Sequence, residues 1–426
     1  LPIWGRVVSS DALSFRADNG AIEISGPVRL GQLSAEMIWR QELEPEQAGR
    51  STVNGTVELS QKFVDELGIG LPKGSVSGAG VGRFELQLVR GRPPEFTLSS
   101  DLNRIGLSIA PIGWSKPPNA TGRLDVAGHL GERPVIDRLS LTASGLDASG
   151  GRITMAADGA MRSATFERVR VGGWLDAPVT LTGRGPGQVP SVLVTGGTIN
   201  VRKTAFGGAV NRANSSNGGP ISLALDRVIV SEGISLTGFI GELDSSGGLS
   251  GTFSARLNGR TPLTGRLAPD KNGTAIRIKS TNAGGILRDA GVFENARGGT
   301  LDMTLRPQAQ NGVYNGRMTA SNIRVIDAPA LTELLSAISI IGLLDQLGSE
   351  GILFTDVEAD FQLSPQSVRL IRSSAVGPSL GVSLSRSEER RGGKECRARW
   401  SADHEKKKKN TDEGRRRCQR SNAPAI

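Results

Sequence analysis

The feature that most constrains this chain is an alternation of apolar and polar residues, repeated in short stretches that end at Gly, Asn or Asp. In GLSGTFSARLNG, residues 248–259, Leu249, Phe253 and Leu257 share one parity, and Ser, Thr and Arg side chains occupy the other. Successive side chains of a strand point to opposite faces, so this period predicts a strand with one apolar and one solvated face. Turn signals such as NGR, SSGG and KNGT separate the stretches and predict hairpins.

The same pattern continues to residue 384, and it is clearest in ILFTDVEADFQL, residues 352–363. A single closed barrel or sandwich usually ends near roughly 200–250 residues. An elongated sheet has no such limit, because each of its units packs only on its neighbours. We therefore predict a mainly β fold: an elongated, twisted antiparallel β-sheet that forms a groove or half-pipe, with a few short helices.

Helical signals are few. Residues 60–68 (SQKFVDELG) and 283–291 (AGGILRDAG) predict short helices, and an apolar helix is predicted near residues 328–347. The apolar positions of this last helix are Leu331, Leu334, Leu335, Ile338, Ile341 and Leu344. A helix that is apolar around most of its circumference is buried or contacts another apolar surface.

Catalytic and metal-binding signals are missing from residues 1–385. Both cysteines lie beyond this segment, and His129 is its one histidine, in a turn-like context. The glycine-rich GAGVGR, residues 78–83, leads into a strand, whereas a phosphate-binding loop should open a helix. Asp356, Glu358 and Asp360 alternate on one side of a strand, which is typical of a solvated face. We predict no catalytic residue, no metal site, no cofactor and no enzymatic activity.

The C-terminal segment, residues 385–426, differs from the rest in charge. Of 51 Lys+Arg and 42 Asp+Glu residues, 14 and 7 lie from Arg386 onward, so the remainder carries a charge of only +2. The remainder shows no clustered basic patch for nucleic acid. Residues 386–404 resemble the in-frame translation of a sequencing adapter, RSEERRVGKECRSRWSPYH. We therefore predict a disordered, artefactual tail; the alternative is a genuine basic tail that binds acidic lipid or nucleic acid.

A family resemblance is carried by DAGVFENARGGTLDMTLRP, ALTELLSAISIIGLLDQLGSEG, GILFTDVEADFQLSPQSVRL and SSAVGPSLGVSL. These stretches resemble the AsmA-like C-terminal region, especially YhdP-type proteins of Gram-negative bacteria. The resemblance implies a fragment of a periplasmic protein that an N-terminal helix, missing here, anchors in the inner membrane. It also implies a role in phospholipid passage to the outer membrane and in envelope integrity. We divide the chain into an N-terminal part of the β-groove (1–210), an AsmA-like C-terminal region (211–384) and the tail (385–426).

The functional hypothesis is that the apolar parity of the strands lines a groove for phospholipid acyl chains. Two alternatives remain: a structural β-solenoid or adhesin with a closed apolar core, and a scaffold for outer-membrane assembly that carries no lipid. Protein partners are not predicted. The residues predicted to line the groove are Leu249, Phe253, Leu257, Ile276, Ile278, Leu353, Val357, Phe361, Leu363, Val368 and Leu370.

Overall fold

A computed structural model describes residues 2–3, 6–71, 74–131, 133–156, 160–185, 187–204, 218–310, 312–327, 350–364, 367–378, 380–386 and 396–401. The fold is mainly β, with large, twisted, mostly antiparallel sheet and few short helices, which confirms the predicted fold class. The contacts divide the chain into two units. Unit 1 comprises Leu1–Ser231 and Ser235–Phe253, and unit 2 comprises Glu232–Ile234 and Ser254–Ile426.

The elements follow in chain order. The helices are α1 (Gln61–Glu66) and α2 (Ala283–Asp289), and the 3-10 turns are Pro45–Gln47, Ala110–Ile112 and Val201–Lys203. The strands are β1 (Pro2–Ile3), β2 (Arg6–Ser9), β3 (Ser14–Ala17), β4 (Ala21–Leu30), β5 (Leu33–Glu42), β6 (Arg50–Ser60), β7 (Val76–Val89), β8 (Glu95–Ser100), β9 (Ile105–Ile109), β10 (Trp114–Lys116), β11 (Gly122–His129), β12 (Val135–Ala143), β13 (Leu146–Met155), β14 (Met161–Val171), β15 (Leu175–Thr182), β16 (Ser191–Thr195), β17 (Thr198–Asn200), β18 (Pro220–Ser231), β19 (Ile234–Asp244), β20 (Ser250–Leu257), β21 (Thr261–Asp270), β22 (Gly273–Ser280), β23 (Ala296–Arg297), β24 (Thr300–Pro307), β25 (Tyr314–Val325), β26 (Ile352–Leu363), β27 (Val368–Val376), β28 (Gly381–Arg386) and β29 (Cys396–Ser401).

In unit 1 the strands form an antiparallel meander from β3 to β15, interrupted by the excursion of β9 and β10. Short β9 pairs with the start of β7 and with β10 rather than continuing the order of the meander. β16 and β17 both pair antiparallel with β15, and β18 then joins them in parallel. In unit 2 the antiparallel order runs from β21 through β22, β24, β25, β26 and β27 to β28.

Helix α1 closes one margin of unit 1. It begins after Ser60, whose backbone is extended, and Gly68 follows it in a left-handed conformation (φ 65°). Its buried Val64 packs with Leu59 of β6, which the sheet presents at the same margin. This hydrophobic cluster, which we call the α1 cluster, comprises Leu59, Val64, Val76, Leu102 and Ile105. The helix predicted within residues 60–68 is therefore present as a cap on the sheet.

A buried lysine holds the chain beside the α1 cluster. Leu102 and Arg104 both have positive φ (53° and 66°), a conformation that costs energy for residues other than glycine. The ammonium of Lys116, which is only 2% exposed, donates hydrogen bonds to the carbonyl oxygens of Leu102 (2.8 Å) and Ile105 (2.6 Å). Burial lowers the pKa of Lys116. The three-donor ammonium thus stabilises a turn that the backbone alone would disfavour.

The disordered, artefactual tail at residues 385–426 stays a prediction, and one described strand lies within it. β29 (Cys396–Ser401) pairs antiparallel with β28, which would otherwise present unpaired N–H and C=O groups at a sheet edge. The apolar helix predicted at residues 328–347, including all six of its apolar positions, lies outside the described residues. The division at residue 210 and the half-pipe shape stay predictions.

Candidate functional site: an apolar face

The strand registers of unit 2 align apolar residues, interrupted by Ser373, in uncharged rows across one face. Residues directly opposite each other on paired strands have side chains on the same face. We call the two central rows of this face the apolar lane. The first row consists of Leu267, Ile276, Leu305, Gly316, Phe361 and Leu370. The second row consists of Gly265, Ile278, Met303, Met318, Ala359, Ser373 and Leu384.

Much of the lane is only half-buried. The side chains of Ile276, Ile278, Met303, Met318 and Phe361 have intermediate exposure, between that of a core residue and that of a surface residue. The exposure rises further on β27, where Leu370 is 44% exposed. A closed, dry core would bury these side chains fully. This part of the face therefore keeps apolar surface accessible.

At one margin of unit 2 the face is closed. On β21, β24 and β25 the neighbouring row is buried, with Leu263 at 5%, Leu301 at 4% and Ala320 at 3% exposure. Helix α2 lies here: Thr261, which shares the parity of Leu263, donates a hydrogen bond from Oγ1 to Oδ2 of Asp289 (2.6 Å). Asn282 caps α2 by accepting a hydrogen bond from the N–H of Gly285 (2.8 Å). The helix predicted within residues 283–291 thus caps the apolar face.

Unit 1 carries a longer row of the same kind. It runs from β3 to β8, from β11 to β16 and on to β18 without a charged residue. Its members, which we call the unit 1 row, are Phe15, Ile24, Trp39, Val53, Leu86, Phe96, Gly128, Ile136, Ile153, Ala164, Leu181, Val192 and Ile221. Most of these side chains are half-buried, and Phe15 at the first strand is 68% exposed.

The opposite face carries cross-strand ion pairs. In unit 2, Asp360 accepts hydrogen bonds from Arg317 Nε (2.9 Å) and Arg372 Nε (2.5 Å), on the strands either side of it. The hydrogen bond from Arg317 is the main cause that lowers the pKa of Asp360 below its ordinary 3.8. In unit 1, Asp176 binds Arg168 through both carboxylate oxygens, at 2.7 and 2.8 Å. The acidic residues predicted to be solvated thus lie opposite the lane.

On the apolar face of each unit, phenylalanine rings lie over glycines of an adjacent strand. A Cβ atom added at Gly55 would lie 2.8 Å from Cζ of Phe84, and one at Gly151 would lie 2.9 Å from Cε1 of Phe166, so each ring leans over the neighbouring strand. A side chain usually stands roughly perpendicular to its sheet. We call these contacts the Gly–Phe pairs. They are Gly55–Phe84, Gly128–Phe96, Gly151–Phe166 and Gly316–Phe361.

The structure places the predicted lining residues in different environments. Ile276, Ile278, Phe361 and Leu370 lie in the lane. Val357 lies opposite Ala320 in the row beside the lane and has intermediate exposure, and Leu363 and Val368 pair with each other beside the lane. Phe253 and Leu257 alternate as predicted but are buried, at 7% and 5% exposure. The ring of Phe253 stacks on Phe239 with centroids 5.0 Å apart. Leu249 lies in the turn before β20.

Leu353 differs from its neighbours in the predicted pattern. Ile352 and Phe354, at 0% and 4% exposure, are the buried residues at this end of β26, so the buried parity changes along the strand. On the facing strand, β25, the buried side chains also switch from one parity to the other at this place, where Asn322 adopts a positive φ of 58°. The lining role of all these residues stays a prediction.

Several residues of the apolar faces were not predicted from the sequence: Trp39, Phe84 and Phe96 in unit 1, and Met303 and Met318 in unit 2. Met303 and Met318 belong to alternating stretches, so their parity was a usable signal. The Gly–Phe pairs have no local signal, because each pair joins different strands.

Other chemistry is sparse. Among the residues that the structure describes, no group of three or more His, Cys, Asp or Glu side chains could hold a metal ion. His129 Nδ1 lies 2.8 Å from Oδ2 of Asp137, which Arg152 also contacts, on the face opposite the unit 1 row. No helix within the described ranges is long and apolar enough to cross a membrane. Comparison of the sequence with protein-family profiles, with curated proteins and with solved structures finds no match.

Proposed function

We propose that this chain carries phospholipid by sheltering acyl chains against its apolar face. The observation that carries the proposal is the half-buried apolar lane, together with the uncharged unit 1 row. Each is continuous over many strands, and each lies opposite a face of ion pairs. A lipid tail laid along such a row would cover apolar surface that the protein itself leaves partly exposed.

The energetics of this function require length and apolar character rather than specific contacts. Each methylene removed from water contributes about 0.8 kcal/mol. In each unit the polar headgroup would stay in water at the margin away from the capping helix, α1 in unit 1 and α2 in unit 2. Such a carrier needs no catalytic residue or cofactor, and we propose that the chain is not an enzyme.

We further propose that the chain is part of an AsmA/YhdP-like protein. The four stretches that resemble the AsmA-like C-terminal region, and the large antiparallel sheet, support this assignment. On this proposal the chain works in the periplasm, anchored to the inner membrane in the full-length protein, and delivers phospholipid toward the outer membrane. Nucleic acid is not a proposed partner.

We expect the 426-residue chain, purified from a Gram-negative host without detergent, to retain phospholipid. The sample is first shown to be folded by its β-type circular dichroism, and bound lipid is then extracted and quantified by mass spectrometry. A protein of similar size from the same host, purified in parallel, measures the lipid background. Phospholipid above this background supports carriage. A folded sample that carries only the background amount would refute it and would favour the lipid-free scaffold or the closed β-solenoid.

A further inference from the structure

The Gly–Phe pairs carry an inference that rests on the proposed function. We propose that Gly316–Phe361 sets the depth of the apolar lane, and that the other three pairs do the same for the apolar face of unit 1. The missing Cβ of each glycine lets the facing ring lie down on its own sheet. The space that an upright ring would occupy is thereby left for an acyl chain. The glycines of these pairs would then be determinants of what each face can accept, although they contribute no side chain of their own.

The geometry is sharpest at Gly316 and Phe361. The two residues are directly opposite each other on β25 and β26. The three atoms nearest to an added Cβ at Gly316 would be Cζ, Cε2 and Cε1 of Phe361, all far inside van der Waals contact. The distal edge of the ring therefore rests over the glycine Cα. An alanine at this position requires the ring to leave the glycine, and we infer that the ring moves up, into the lane.

The recurrence of the arrangement supports a common role. Phe84, Phe96, Phe166 and Phe361 all have intermediate exposure, and each leans over a glycine of an adjacent strand. An isolated glycine in a strand weakens the sheet, and an aromatic ring across it restores packing. Packing alone would be served as well by an alanine or valine facing a smaller side chain. The glycine–ring combination differs in that it covers the sheet with a thin layer.

Gly316 is also the position at which the proposal can be tested most cleanly. At Gly55 and Gly128 an added Cβ would collide with the carbonyl oxygens of Glu36 and Val135, so a substitution would disturb the backbone as well as the ring. At Gly316 the nearest atoms all belong to one side chain, which can rotate. The substitution therefore changes the ring position and leaves the ladder hydrogen bonds in place.

The experiment measures bound phospholipid in the full chain and in Gly316→Ala, Phe361→Ala and the double variant. If the raised ring excludes about one methylene, Gly316→Ala should retain about fourfold less lipid than the unchanged chain. Phe361→Ala removes the ring, so the double variant should retain as much lipid as Phe361→Ala alone. Gly70→Ala is the matched control, because no atom lies within 4 Å of its added Cβ and its φ is not positive.

The outcomes separate this inference from the function on which it rests. An unchanged chain without lipid refutes the proposed carriage itself. If the unchanged chain carries lipid, two results overturn the inference: equal lipid in folded Gly316→Ala, or a double variant that retains less lipid than Phe361→Ala. Thermal unfolding of each variant, followed by circular dichroism, shows that the lipid loss is not caused by misfolding.

Discussion

The purified Phe361→Asp variant is expected to retain at least about tenfold less phospholipid than the unchanged chain, because a carboxylate beside a lipid tail costs at least about 1.4 kcal/mol. Phe361 occupies the first row of the apolar lane, between Gly316 and Leu370, and its ring is half-buried. An acyl chain that follows this row would have to pass the new charge. Lipid extraction and mass spectrometry of the two proteins measure the difference.

Gln362→Asp is the matched control for this prediction. It introduces the same side chain one residue further along β26, on the opposite face, where Gln362 pairs with Arg369 of β27. We expect it to retain the lipid of the unchanged chain. Equal lipid loss in Phe361→Asp and Gln362→Asp, or no loss in either, would contradict the assignment of the lane as the lipid-binding face.

The Ile105→Ala variant is expected to loosen the capped margin of unit 1. Ile105 is 2% exposed and packs in the α1 cluster with Leu59, Val64 and Leu102. Truncation of such a side chain lowers the free energy of unfolding by about 3 kcal/mol. Amide hydrogens that become exposed when the cluster unfolds locally should therefore exchange roughly hundredfold faster. Hydrogen exchange followed by mass spectrometry should show this acceleration in α1, β7 and β9.

Ile38→Ala provides the comparison for Ile105→Ala. The same atoms are removed from β5 of the same unit, but Ile38 is 46% exposed. We expect its exchange pattern to change by less than about threefold, as for most surface substitutions. If Ile105→Ala leaves α1 and β9 as protected as Ile38→Ala does, the α1 cluster does not hold this margin.

The alternation of side chains was predictable because it depends only on the chain's own period. Phe361 and Val357 share a face with Ile276 and Ile278 as their parity requires, and α1 and α2 form where a short apolar stretch ends at Gly. The fold class followed from the same period. These features are local, and a local pattern is visible in the sequence.

The pairing of distant strands, and which face of each strand is buried, were not predictable in the same way. Gly316 and Phe361 are opposite each other only because β26 pairs with β25, from which it is distant in sequence, and nothing near either residue specifies that pairing. Along β26, the odd-numbered residues face the lane near Phe361, whereas the even-numbered residues are buried near Ile352. This switch likewise depends on which face of β26 is covered at each end of the strand. Lys116 was missed because its acceptors, the carbonyl oxygens of Leu102 and Ile105, belong to a turn with no recognisable motif.

Photo-crosslinking tests the central claim most directly. A benzophenone amino acid is placed at Met318, in the second row of the lane, or at Thr319, the exposed neighbour on the opposite face. Each chain is irradiated in a Gram-negative host and its mass is measured. We predict phospholipid adducts at Met318 and none at Thr319. Adducts at neither position, or Met318 crosslinks formed solely with the chain's own residues, would contradict the claim that the lane is open to lipid.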